Sequence, residues 1–186
     1  MSNLDGLLQR NKEFAAQQKA AGTLPASLPD VMPNLKAMII GCADMRVDPA
    51  PILGLKLGEA VVIRNIGGRI TPTTLEELGM LGRIGQIAGK VPGGGGEFHL
   101  IVLQHTDCGI TRLANETPML AHYFQVADGD VAAKKVNDPR AAVAADVAFL
   151  RSIAALPAPW LLSGLVYDVQ TGLVEVVVPP APIRAA

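Results

Sequence analysis

Two short apolar runs, Ala37-Met38-Ile39-Ile40 and Leu100-Ile101-Val102-Leu103, each give way to a polar motif that carries a cysteine. The first motif is Gly41-Cys42-Ala43-Asp44-Met45-Arg46. The second, after Gln104, is His105-Thr106-Asp107-Cys108-Gly109. Runs this short and this continuously apolar read as strands buried on both faces. Alternating with helices, such strands imply a mostly parallel central sheet with helices on either side. In sheets of that kind ligands bind beyond the carboxyl ends of the strands, which is where both motifs fall. If the two strands are neighbours, Cys42, His105 and Cys108 converge on one point.

The rest of the chain fits this α/β reading. Leu4–Ala20 has helical periodicity, with Leu4, Leu7, Leu8 and Phe14 on one face, and Gly22 and Pro25 end it. Pro25, Pro29 and Pro33 predict an extended connector, and Asp48–Gly58 predicts a loop with a short turn. Strands are expected at Leu35–Gly41, Ala60–Arg64, Phe98–Gln104 and Gly164–Val169. A hairpin turn at Thr171-Gly172 leads into an antiparallel edge strand at Leu173–Val178. Helices are expected at Leu75–Ala88, capped by Thr73 or Thr74 with Glu76 and Glu77 in the first turn, near Ile110, and at Pro139–Ala155. Gly89–Gly96 reads as a flexible loop. The expected organisation is an N-terminal helical arm with its connector (1–33), an α/β domain (34–178) and a frayed Pro/Ala-rich tail (179–186).

Bulk properties exclude several classes. The net charge is −1, and basic and acidic residues are interspersed, so no nucleic-acid partner is expected. No apolar run is long enough to cross a bilayer, and no secretory signal is read at the N-terminus. The expected compartment is the cytoplasm, where thiols stay reduced. In that setting two cysteines with a nearby histidine favour metal binding or catalysis over a disulfide.

Two thiolates and one neutral imidazole make a sufficient ligand set for a catalytic zinc, leaving one position open. His105 and Cys108 are three residues apart, so one turn of chain can present both. Zinc brings a bound water to a pKa near neutrality, so hydroxide forms without strong base. Asp44 and Arg46 alternate with Cys42, and in an extended segment all three point the same way. The guanidinium can hold Asp44 ionised in a bidentate pair, and Asp44 can then orient the hydroxide. Asp44 can also leave Arg46 for the metal, which predicts a site that opens as pH rises.

The pair Cys-x-Asp-x-Arg and His-x-x-Cys-Gly resembles the β-class carbonic anhydrases, in particular their short bacterial branch. Arg64-Asn65-Ile66-Gly67-Gly68 and the Gly164–Gly172 hairpin also resemble that family, so the likeness runs from about Leu35 to Val178. The resemblance implies one zinc per subunit held by Cys42, His105 and Cys108, with Asp44 and Arg46 as the catalytic dyad. It implies reversible hydration of CO2 to bicarbonate and a proton. It also implies a homodimer or higher homo-oligomer in which the N-terminal helix wraps a partner subunit. Relatives in the same branch hydrolyse carbonyl sulfide or carbon disulfide with the same ligands, and Asp107 leans toward the anhydrase. A non-catalytic zinc or redox-sensing protein is the alternative from a different class.

Plainer readings exist for each residue. The two cysteines could be buried thiols, although Asp44, Arg46 and His105 would then be unexplained polar neighbours. A structural zinc would need a fourth ligand from His99 or His122; the first reads as a packed or edge histidine, the second as a surface residue or proton shuttle. Gly79, Gly82 and Gly85 read as a face for close helix packing. Gly93–Gly96 lacks the residues of a phosphate loop.

Overall fold

A computed structural model describes residues 2–89 and 96–184. Apart from its two end residues, the connector expected at Gly89–Gly96 lies outside them. Helix α1 (Asn3–Ala21) opens on a capping box between Ser2 and Asp5 and closes at Gly22, whose φ of 66° suits glycine. None of its residues is buried. The connector is not extended as expected: it folds into a short helix, α2 (Leu28–Val31), and a 3₁₀ turn at Met32–Asn34. Proline at the first positions of a helical turn removes no needed N–H, so Pro29 and Pro33 start turns instead of preventing them.

The body follows as β1 (Ala37–Cys42), α3 (Pro49–Leu53), β2 (Ala60–Asn65), α4 (Pro72–Ala88), β3 (His99–His105), α5 (Thr117–Phe124), α6 (Val131–Lys134), α7 (Pro139–Ser152), β4 (Leu161–Tyr167) and β5 (Val174–Pro182). The sheet order is β2-β1-β3-β4-β5. The first four strands are parallel and β5 is antiparallel to β4, as expected. The chain passes from β1 outward to β2, then returns to the other side of β1 with β3. The boundary between β1 and β3 is therefore the topological switch point, where loops from the two strands part and leave a crevice.

Every residue of β1 is buried, so both faces of the sheet centre are covered. Met38 and Ile40 join Leu100, Val102, Val143, Val147, Leu150 and Leu162 in one core, whereas Ala37 and Ile39 join Leu103 in another. Helix α7 crosses β4 at Gly164. A Cβ there would lie 3.0 Å from Val143 and 3.1 Å from Val147, so glycine lets the helix approach this closely without either valine giving way.

Several boundaries differ from expectation for local reasons. The Asp48–Gly58 loop contains α3, because Asp48 caps it, Pro49 starts it and Gly54 closes it at φ 64°. Helix α4 begins at Pro72 with Thr71 as its cap, not at Leu75, so Glu76 and Glu77 lie beyond the first turn. Of the three spaced glycines only Gly85 packs, against Met32, and Gly79 and Gly82 face open space. The expected frayed tail is ordered as far as Arg184. Strand β5 runs through its prolines because it is an edge strand with one free side. Ile183 is buried, and the Arg184 guanidinium donates to the carbonyls of Ile153, Ala154 and Leu156.

Candidate metal centre

Beyond the carboxyl ends of β1 and β3, Cys42, His105 and Cys108 come together. Their three candidate ligand atoms lie within 4.8 Å of one another, and all three residues are buried. The parallel register brings the two motifs together: Gly41 pairs with Leu103, which puts Cys42 level with Gln104, one residue before His105. Cys108 arrives through a turn anchored by Thr106, whose N–H donates to the Tyr167 carbonyl at 3.0 Å. The Thr106 hydroxyl accepts from the Val169 N–H at 3.0 Å, and the Thr111 hydroxyl donates to the Cys108 carbonyl at 2.7 Å.

These residues fit a zinc ion. The His105 Nδ1 lies 2.9 Å from the Thr106 carbonyl, which can only accept, so Nδ1 carries the proton. With Nδ1 as the donor, His105 would offer a metal the lone pair of Nε2, a buried atom with no hydrogen-bond partner. The two sulfurs stand 3.7 Å apart. Two thiolates about 2.3 Å from a tetrahedral ion would stand about 3.8 Å apart. Charge points the same way. The contact with Cys108 pulls the Cys42 pKa down to about 4 against the opposing effect of burial. The same contact, together with burial, pushes Cys108 up. A cation between two buried sulfurs at this distance would hold both as thiolates.

The Asp44–Arg46 pair forms as expected, but not by strand alternation. The chain leaves β1 at Cys42 and turns, and the Arg46 N–H donates to Asp44 Oδ1 at 2.9 Å. The guanidinium then grips the carboxylate through Nε (3.0 Å) and Nη2 (2.7 Å). The hydrogen bond from Arg46 holds the Asp44 carboxyl well below the usual carboxylate range. The same side chain contacts Asp107, with Nη1 to Oδ2 at 2.9 Å and Nη2 to the carbonyl at 2.8 Å.

His99 and His122 stand apart from the cluster. His99 sits at the start of β3 beside Glu97, 2.5 Å away. His122 lies on α5 and lines a cavity of about 880 Å³ that contains none of the three ligand residues. A smaller cavity of about 410 Å³ borders Asp107, Cys108 and Thr111.

Arg64 hydrogen-bonds the loop, and two further features, at Gly68 and Arg69, went unread in the sequence. Arg64 donates to the carbonyls of Cys42 (2.9 Å) and Asp44 (2.6 Å), fixing the segment between them. Gly68 comes so close that a Cβ would lie 2.8 Å from the Cys42 nitrogen. Arg69, 1% exposed, is paired with Asp146 through Nε (2.6 Å) and Nη2 (3.0 Å), and also reaches the carbonyls of Lys135 and Ala133. A signal for this pair existed. Asp146 falls on the apolar face of α7 with Ala142, Val143, Val147 and Leu150, and a carboxylate there needs a cation.

A profile of the family described as carbonic anhydrase matches residues 37–174. The β-carbonic anhydrase 1 of Mycobacterium tuberculosis is 32% identical over 116 residues, 62% of this chain and 61% of that protein. The match thus spans about three fifths of that relative's length. A carbonic anhydrase of Streptococcus mutans superposes with a TM-score of 0.68 at 31% identity, covering 95% of this chain and 98% of the other. Tetrameric β-carbonic anhydrases of Sordaria macrospora share the fold, with a TM-score of 0.61 at 17% identity, covering 96% and 98%.

Removing one partner of the buried pair leaves a charge stranded in the core. Asp146→Ala should destabilise the protein by about 3–5 kcal/mol. Denaturant unfolding checks this, and a loss under about 1 kcal/mol would show that the pair supports nothing.

Proposed function

The chain belongs to the β-class carbonic anhydrase family, and on that premise we propose that it hydrates CO2 reversibly to bicarbonate and a proton. The observation that carries the reading is the convergence of two thiols and the bare Nε2 of His105 next to a carboxylate already held by a guanidinium. Cys42, His105 and Cys108 would hold the metal, one ion per subunit. Zinc bound there supplies Lewis acidity, enough to bring the pKa of water near neutrality. Asp44 accepts a proton-bearing donor at the reacting position and fixes its orientation. Arg46 keeps Asp44 ionised and in one rotamer, so it stays an acceptor throughout the working range. Arg64 holds the backbone on either side of Ala43, which limits how far Asp44 can stray. The apolar wall of Val47, Ile110 and Leu120 around the thiols suits a small nonpolar substrate.

The test is stopped-flow CO2 hydration on zinc-loaded protein, with Asp44→Ala alongside. Rapid turnover is expected, falling about 100-fold or more in the variant, which keeps its zinc. Absence of turnover from neutral to alkaline pH despite bound zinc would overturn the reading.

The same reading extends to assembly. Helix α1 buries none of its residues and exposes Leu4, Leu7, Leu8 and Phe14, an apolar set that finds no cover on its own chain. The arm, residues 1–33, is read as gripping a second copy of the domain in a homo-oligomer. The tetrameric Sordaria macrospora enzymes, which share the fold, support this. Among the described residues no helix is long and apolar enough to cross a membrane. Free buried thiols suit a reducing compartment such as the cytoplasm. Deleting residues 1–22 should lower the mass measured by light scattering to that of a smaller assembly. An unchanged mass would contradict the arm's role.

A further inference from the structure

The ladder that joins β1 to β3 ends at the Gly41–Leu103 pair, one residue before Cys42. Beyond it, the two cysteine-bearing loops share no main-chain hydrogen bond among the described residues. Ala43 donates to Asn65 and Val47 to Asp44, whereas Thr106 donates to Tyr167 and Thr111 to Cys108. Besides the contact between the two sulfurs, the polar link between them is Arg46. One edge of its guanidinium grips Asp44 in the first loop, and the other meets both the carboxylate and the carbonyl of Asp107 in the second. Asp107 can offer both acceptors because its backbone is left-handed, with φ at 52°. Aspartate tolerates that region better than most residues. A planar guanidinium with donors on two edges can span two loops in a fixed geometry, which a lysine could not do.

We propose that Asp107 is a positioning residue of the metal centre. Acting through Arg46, it holds the Cys108 loop against the Cys42 loop, sets how long the site keeps zinc, and fixes the direction of Asp44. The inference rests on the zinc reading above. The neighbouring Arg112 is not part of the device. It is largely exposed and reaches Asp107 Oδ1 at only 3.4 Å.

The experiment measures zinc release from the full-length, zinc-loaded protein to a chromogenic chelator. Asp107→Gly keeps the left-handed backbone and the carbonyl bond but deletes the carboxylate. It should release zinc about five- to tenfold faster, a size set by a half-exposed ion pair acting on ligand geometry. Once fully loaded, it should show a lower kcat for CO2 hydration with KM unchanged. Asp107→Asn retains an oxygen acceptor and should return release to within about twofold of the original. Arg112→Ala should release zinc at the original rate. Original-rate release from Asp107→Gly would overturn the proposal, even if the zinc-free variant melts lower, because Asp107 would then serve the fold alone. Equal effects in Arg112→Ala and Asp107→Gly would also overturn it, since they would report net charge and not a bridge. If the unsubstituted protein takes up no zinc, the metal reading fails first and this inference with it.

Discussion

The parallel pairing of β1 with β3 is the interaction on which the rest depends. It aligns Gly41 with Leu103, so that the chain leaves the two strands with Cys42 level with Gln104 and one residue short of His105. It also creates the switch point, because the crossover to β2 goes one way and the crossover to β3 the other. A register slip of one residue would turn every side chain of the strand to the opposite face. The complete burial of β1 forbids that, since Met38 and Ile40 serve one core and Ala37 and Ile39 the other. Hydrophobic packing some distance from the chemistry therefore determines whether the ligands meet at all.

Around this frame, three arginines fix the backbone near Cys42. Arg46 spans its loop and the Cys108 loop, Arg64 holds the carbonyls of Cys42 and Asp44, and Arg69 is locked to Asp146 behind the Gly67-Gly68 turn. Each guanidinium is neutralised or satisfied by carbonyls, so none is an unpaired buried charge. The thiols lack such a counterpart. Their sulfurs stand 3.7 Å apart beside the His105 Nε2, a buried nitrogen with no hydrogen-bond partner. Among the described residues three buried side-chain atoms lack a hydrogen-bond partner, Gln104 Oε1, Arg151 Nε and His105 Nε2, and the last of these lies among the thiols where a cation would fit.

Much of this was legible in the sequence. Continuous apolar runs marked the central strands, and the motifs at their ends named the three residues that converge and the Asp44–Arg46 pair, because chemistry of that kind needs particular residue types at short spacing. What escaped was set by tertiary contact. Pro72 and Thr71 start α4 earlier than the acidic residues suggested, because a proline at the first position is as good a signal as a first-turn carboxylate. The tail was read as frayed from its prolines, yet Arg184 ties it to three carbonyls that no local pattern reveals. The extended reading of Cys42–Arg46 gave the right pair by the wrong geometry, since Asp44 accepts from the Arg46 N–H in a turn. Asp107 was visible only as a motif residue; its reach to Arg46 depends on a backbone angle that sequence does not show.

The central claim is that one metal site is built from the ends of β1 and β3 by two sulfurs and one nitrogen. Zinc X-ray absorption on the loaded protein tests it most directly. The account predicts two sulfur scatterers at about 2.3 Å and two nitrogen or oxygen scatterers at about 2.0–2.1 Å, one of them the imidazole. Cys108→Ser should remove one sulfur from that shell. A shell without sulfur, or an unchanged two-sulfur shell in the variant, would contradict it.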